Sequence, residues 1–383
     1  MNYSIYDYGT MITDAGRMDA YTQALQKTVK PGSIVLDIGT GTGIFALIAC
    51  ELGAKQVYAI ETNSAIALAQ KVAATNNLSE RIQFIQDLST KIDLPQPADV
   101  IISDLRGVLP LHQHHIPSIV DARTRLLATD GVLIPQQDTI WAALVNALEL
   151  HRGYVCPWGE KPYGFTMTDM IPWATNTWSK ARITPEQLIV EPQVWATLDY
   201  TTIENPHIEA TLTWHISQES TAHGIALWFD ATIAEGIGFS NAPDKADIIY
   251  GKAFFPWLQA VELESGDRVE IKIQANLVNE DYVWSWHTQV FSQDNQSQPK
   301  VNFSQSTFFG NPLPPAQLRK RGNNYIPQLN QEGKIAQIIL QLMAENKPLC
   351  EIAQEIIQKF PQQFTTWQSA LSKVAHMSQM YSD

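Results

Sequence analysis

"VLDIGTGTGIFALIA", residues 35–49, decides how the rest of the chain is read. A β-branched, apolar run enters it, Gly39, Gly41 and Gly43 follow at every second position, and a small-residue helix leaves it. Missing Cβ atoms let a backbone turn tightly and let a ligand press against main-chain N–H groups at the end of a strand. Downstream, "QVYAIE" reads as a second strand and "NSAIALAQKVAATNN" as a helix capped by Asn63 or Ser64. "IQFIQD", "ADVIISD" and "GVLIP" read as further strands, with a helix over "IPSIVDARTRLLAT" between the last two. Upstream, Met11, Ile12, Met18, Tyr21 and Leu25 recur at helical intervals and predict two short helices within 4–28. Strands alternating with helices predict a doubly wound parallel sheet, a Rossmann-like α/β domain over 1–135.

The texture then changes. Between 136 and 310, short alternating runs such as "TIWAALV", "QVWATLDYTT", "IEATLTWHIS", "GIALWFDATI", "RVEIKIQANL" and "YVWSWHTQV" are separated by turn residues. They predict an antiparallel β-barrel or sandwich. An aromatic, proline-broken stretch at about 155–180 interrupts it as an arm. Trp284 and Trp286 alternate onto one face and read as core or cleft lining. After the linker "GNPLPPAQ", apolar stripes at Ile335, Ile338, Ile339, Leu342 and Met343, at Ile352, Ile356, Ile357 and Phe360, and at Ala370, Leu371, Val374 and Met377 predict a small helical domain over 318–383, helix-turn-helix-like in its order.

A formal charge of −13, with the one basic run "LRKRG" too short to offset it, argues against nucleic acid as a partner. Three scattered cysteines without metal spacing fit a reducing compartment. With neither a leader-like start nor a long apolar window, the reading is a cytoplasmic protein with no membrane partner.

The glycine loop binds different ligands in different folds, and three details narrow the choice. The pattern is G-x-G-x-G; Asp37 precedes it by two residues; Glu61 ends the next strand, where a carboxylate can take both hydroxyls of a ribose. An acid before the glycines suits an ammonium and disfavours a bare pyrophosphate. S-adenosylmethionine has an ammonium, a ribose with both hydroxyls, and no phosphate, and it is the expected cofactor.

With "YGTMITDAGRMDAY", "VLDIGTGTGIFALIACELGAKQVYAIE", "ADVIISDLRG", "WGEKPYGFTMTDM" and "PEQLIVEPQVWATLDYTT", the chain from about residue 5 to 300 resembles the class I methyltransferases, and within them the protein arginine methyltransferase family. The resemblance implies that Arg17 pairs with the methionine carboxylate of the cofactor, that Gly39, Gly41, Gly43, Asp37 and Glu61 serve as above, and that Asp87 reaches the adenine amine. It further implies a barrel forming the far wall of an acceptor cleft and an arm that dimerises the chain.

The acceptor loop departs from that pattern. Where the family has two glutamates to grip a guanidinium, "SDLRGVLPLHQHHIP" has Asp104 and, at about the second place, the neutral Gln113. The family's threonine-histidine-tryptophan loop falls on Ile248, Ile249 and Tyr250. A fixed charge on Arg106 would repel an incoming guanidinium by roughly 1–4 kcal/mol at contact distance. The expected reaction is therefore methyl transfer to a non-arginine side chain of a protein or peptide, such as an amide nitrogen. Asp104 would hold or deprotonate the acceptor, Arg106 would grip an acceptor carboxylate or carbonyl, and His112, or equally His114 or His115, would act as base. Three alternatives stay open: a small-molecule O- or N-methyltransferase, a residual arginine methyltransferase, and a silent binding protein that keeps the cofactor pocket. The "HQHH" spacing lacks a completing Cys or acid, so no metal is expected. The C-terminal helices, outside the family pattern, suit docking of a protein or peptide, or a structural cap.

Overall fold

The computed structural model describes residues 3–312 and 314–382, which divide into two units, Met1–Pro312 and Leu313–Asp383. The first unit opens with α1 (Ile5–Thr13) and α2 (Ala15–Thr28). Asp14 separates them: its extended backbone ends α1, while its side chain accepts the Arg17 amide and caps α2.

The chain continues through β1 (Ile34–Ile38), α3 (Ile44–Glu51), β2 (Gln56–Ile60), α4 (Ile66–Thr75), β3 (Ile82–Ile85), β4 (Ala98–Ser103), α5 (His115–Arg125) and β5 (Leu127–Ile134). The five strands form a sheet in the order β3-β2-β1-β4-β5, with every pairing parallel. Strand β1 is central and buried at all of its positions, which is why "IVLDI" carries apolar residues on both faces. Strand order reverses between β1 and β4, and the crevice at their carboxyl ends is where such sheets bind ligands. Asn63 accepts the Ala65 amide at 2.9 Å and caps the turn leading into α4, whereas Ser64 makes no cap.

Next come β6 (Gln137–Val145), α6 (Leu148–Gly159), α7 (Ile171–Thr175), β7 (Ser179–Ala181), β8 (Gln193–Asp199), β9 (Ile208–His215), β10 (Ser220–Ala234), β11 (Ile237–Ser240), β12 (Lys252–Leu263), β13 (Arg268–Val278), β14 (Asp281–Phe291) and β15 (Val301–Ser306). One antiparallel sheet runs β7-β12-β10-β6-β8 with β11 beside β10, and a second runs β15-β14-β13-β9. Their inner faces meet through aromatic side chains: Trp195 on Trp284, Phe255 on Trp284 and Trp286, and Trp257 on Phe303, with centroids 5.2–5.7 Å apart.

The arm differs from the sequence expectation. It begins with α6 at Leu148, earlier than 155; α6 runs through Pro157 to Gly159, and the chain is then broken, with left-handed backbone at Lys161 and Tyr163, until α7 starts at Ile171. Strands β12 and β15 escaped the reading of alternation. The first half of β12 is buried at every position, so its sequence does not alternate, and β15 is polar in composition. The boundary expected at 135 does not separate two cores either. One hydrophobic core runs through both parts because α2 packs on β10 and β11, with Tyr21 6.4 Å from Phe239.

The second unit holds α8 (Pro315–Arg319), α9 (Gln331–Ala344), α10 (Leu349–Lys359) and α11 (Trp367–Tyr381). The three predicted stripes meet in a separate core, Ile335, Ile339 and Leu342 with Ile352 and Ile356, and Val374 and Met377 from α11. All three cysteines are free. Among the described residues no helix is long and apolar enough to cross a membrane.

Candidate functional site

A cavity of about 300 Å³ opens at the carboxyl ends of β1, β2 and β4. Its wall includes Gly39 to Thr42, Glu61, Asp87, Arg17 and the two ends of one loop, Asp104 to Arg106 and His112 to His115, with Tyr8 of α1 over it. The glycine loop is left-handed at Gly39 (φ 75°), Gly41 (φ 55°) and Gly43 (φ 86°). A Cβ at Gly39 would lie 2.5 Å from Leu105 Cδ2, and one at Gly41 would lie 2.5 Å from Tyr8 Cε1. Only bare backbone fits there. The loop amides, however, do not face a ligand. Gly39 and Thr40 donate to the Ile60 carbonyl at 2.8 and 2.9 Å, and Gly41 donates to Glu61 Oε2 at 3.0 Å. The glycines contribute close approach; the hydrogen bonds hold the loop to β2.

Glu61 is half-buried in the wall, with Oε1 accepting the Asn63 amide at 2.8 Å and the rotatable Thr62 hydroxyl at 3.4 Å; Oε2 has a further lone pair for a hydroxyl, and Oε1 gains one when the Thr62 hydroxyl turns away. Burial, with Glu61 nearby, pushes the Tyr8 phenol up to about 12. Asp87 is half-buried at the rim. Asp37 and Gly43 stand outside the wall. Asp37 is buried beneath the loop, accepts the Thr40 hydroxyl at 2.5 Å, and burial raises its carboxyl to about 7. Its expected contact with an ammonium is thus replaced by a loop-bracing role. Gly43 caps α3, where its missing Cβ leaves room for Ala69.

At the other end of the cavity, the side chains have paired with one another. Arg17 Nε donates to Asp104 Oδ2 at 2.5 Å, and Arg17 Nη1 to the Met11 carbonyl at 3.2 Å. Tyr250 donates to the same Asp104 oxygen at 2.5 Å. Arg106 forks onto Asp138, with Nε–Oδ2 2.7 Å and Nη2–Oδ1 2.9 Å, and Tyr200 donates to Asp138 Oδ2 at 2.5 Å. Arg106 Nη1 reaches Tyr21 at 2.5 Å and Asp104 Oδ1 at 3.2 Å. Burial by itself would raise the Asp104 carboxyl, but Arg17 and Arg106 outweigh it and hold the group below its ordinary value. Two guanidinium groups and two carboxylates therefore cancel in a buried cluster.

This geometry corrects two expectations. The Arg106 side chain is fully buried and turned onto β6, so it cannot grip an acceptor carboxylate. His115 is buried, with Nε2 3.0 Å from the Tyr200 hydroxyl, and burial pushes its imidazole down to about 3; it is no base near neutral pH. His112 stays on the cavity wall beside Gly107 with its pKa lowered by burial, and His114 is exposed. Among the described residues no His, Cys, Asp and Glu group could hold a metal. Asp138, Tyr21 and Tyr200 were missed as functional residues. A single acid in the apolar strand "DTIWAALV" was the available signal for Asp138. The Ile248–Tyr250 loop does reach the site, as its alignment with the family loop implied. Tyr250 touches Asp104, and the Ile249 amide donates to Asp14 at 2.6 Å.

Two family models match the chain: Ribosomal protein L11 methyltransferase (PrmA) over residues 20–154, and Arginine methyltransferase oligomerization subdomain over 136–293. The chain is 30% identical over 246 residues to the Oryza sativa subsp. indica "Probable protein arginine N-methyltransferase 6.1", covering 62% of this chain and 64% of that protein. It is 28% identical to the Danio rerio "Protein arginine N-methyltransferase 6", covering 69% and 79%. The match thus spans a little under two thirds of the rice relative's length. The fold is shared with Arabidopsis thaliana protein arginine methyltransferase 10 (TM-score 0.68, 23% identity, covering 79% of this chain and 97% of that one). It is also shared with the Trypanosoma brucei PRMT1 enzyme-prozyme complex with AdoHcy (TM-score 0.70, 16% identity, covering 78% and 96%).

Proposed function

As this chain belongs to the class I methyltransferases of the protein arginine methyltransferase family, we propose that it methylates a non-arginine side chain of a protein or peptide, with S-adenosylmethionine as donor. The observation that carries the reading is the pairing of every carboxylate at the acceptor end with an arginine of the chain itself. A cationic guanidinium finds no free charge there, whereas a neutral amide does not need one. The relatives named above are arginine N-methyltransferases, and the chain departs from them at this loop.

The residues fit the donor. Gly39 and Gly41 leave a cradle that a Cβ would fill, Glu61 offers two oxygens to a diol, and Asp87 stands at the rim for an amine. Arg17, whose Nη2 bonds to no described residue, is placed to meet a carboxylate. When bound, the donor supplies an electrophilic methyl group on sulfur. The chain supplies placement: Tyr8 and α1 shield the cradle from water, and Asp104 and His112 hold or take the acceptor proton. An Arg17 that turns to a ligand carboxylate leaves Asp104 paired with Arg106 and bonded by Tyr250, its charge still offset, with one lone pair open for that task.

The same proposal includes a cytoplasmic homodimer formed through the arm, where Tyr163, Phe165 and Trp173 are exposed, and a C-terminal unit that docks the peptide substrate. The test is methyl-labelled donor incubated with the chain and candidate proteins, the label located by mass spectrometry, with Glu61→Gln as control. Glu61→Gln is expected to weaken donor binding roughly 10–100-fold in calorimetry, as for a lost charged hydrogen bond. Label on amide or other non-arginine side chains supports the reading; label on arginine overturns the acceptor assignment. Label confined to small metabolites, or donor binding without any transfer, points instead to the small-molecule enzyme or the silent protein.

A further inference from the structure

Arg106 lines the cavity, yet the reaction proposed above gives it nothing to do. Its surroundings resemble a receptor. Asp138 grips the guanidinium side-on through two bonds of 2.7 and 2.9 Å, and Asp104 takes a third at 3.2 Å. The Tyr21 hydroxyl takes a fourth at 2.5 Å. Phe229, Phe239 and Tyr21 surround it with ring centroids 5.6–6.0 Å from Cζ. A forked carboxylate, a second acid and aromatic walls are what recognition of a free guanidinium demands. Asp104, two residues before Arg106, supplies one bond; the remaining parts come from α2, β6, β10 and β11, so most of the cup is built by the rest of the fold.

We propose that Arg106 is a resident ligand: it fills a guanidinium receptor made by Asp138, Asp104, Tyr21, Phe229 and Phe239, and so determines that arginine is refused as acceptor. The inference rests on the non-arginine reading but makes a separate demand on the protein. With the Arg106 side chain removed, the cup is open to an external guanidinium.

The test needs neither donor nor acceptor. Arg106→Ala in the full chain is heated with methylguanidinium or methylammonium at equal ionic strength. At about ten times Kd, methylguanidinium is expected to raise Tm by roughly 2 °C, and methylammonium to give no rise. The unsubstituted chain is expected to show no rise with either ion. Adding Asp138→Asn to Arg106→Ala is expected to abolish the effect. An equal response to both ions, or the same response in the unsubstituted chain, overturns the proposal. Should Arg106→Ala not fold, its refolding yield and that of Arg106→Met are compared with and without methylguanidinium; no dependence on the ion in either variant overturns it equally. Guanidinium capture with no methylation of any acceptor would leave this inference standing and remove the function proposed above.

Discussion

Replacing Asp138 by Asn tests the buried cluster directly. The substitution keeps the side-chain shape but removes the charge that faces Arg106, whose side chain, like that of Asp138, is 0% exposed. At roughly 4 Å between charge centres and an effective dielectric of about 20, the lost attraction is about 4 kcal/mol. Tyr200 exchanges a charged acceptor for a neutral one, at about 1 kcal/mol. Breaking one side of a buried pair costs about 3–5 kcal/mol in general, so a loss of about 4 kcal/mol is expected. For a unit of this size that corresponds to a Tm about 6 °C lower. Differential scanning calorimetry suits the measurement because it separates the transition of the first unit from that of the second. The companion variant, Arg106→Met with Asp138→Leu, replaces the pair by apolar volume and is expected to recover at least about 2 kcal/mol relative to the sum of the single substitutions. A loss below about 1 kcal/mol for Asp138→Asn, or strict additivity in the pair, would refute the picture of a desolvated, mutually dependent cluster.

Two further outcomes follow from the cofactor half. Gly41→Ala places a methyl 2.5 Å from Tyr8 Cε1 at φ 55°, so donor binding measured by calorimetry is expected to weaken at least about tenfold, with partial recovery when Tyr8→Ala is added. Asp37 keeps its proton in the folded state up to about pH 7 while the unfolded chain loses it near the ordinary aspartate value of 3.8. Its stability contribution is present below pH 4 and is lost as pH rises through 7, so Asp37→Asn is expected to gain stability relative to the parent across that window, by up to about 4 kcal/mol in urea titrations; a difference that does not change between pH 4 and 7 contradicts the burial argument.

The cofactor half was legible because it is local. "DIGTGTG" carries its own turn chemistry, and Glu61 lies one strand further on, so spacing alone placed them together. The acceptor half was not. Arg106 meets Asp138 from 32 positions away and Tyr21 from 85, and Tyr250 reaches Arg17 across 233. No periodicity encodes such meetings. The sequence identified Arg106 as a charge in the acceptor loop but gave no direction for its side chain, which points inward to β6 and not outward to a substrate. His115 was misread for a similar reason: in "HQHH" the last histidine begins α5 and faces the interior, while its neighbour His114 remains in water. Strand β12 shows the converse case, where complete burial erases the alternation by which strands are recognised.

Asp14 joins more than two helices. One of its oxygens accepts the Arg17 amide and the other the Ile249 amide, from the chain segment that also carries Tyr250. The helix that carries Tyr8 over the cradle and the segment that carries Tyr250 to the opposite wall are therefore moored to one carboxylate, and a substitution at Asp14 strikes both sides of the cavity at once.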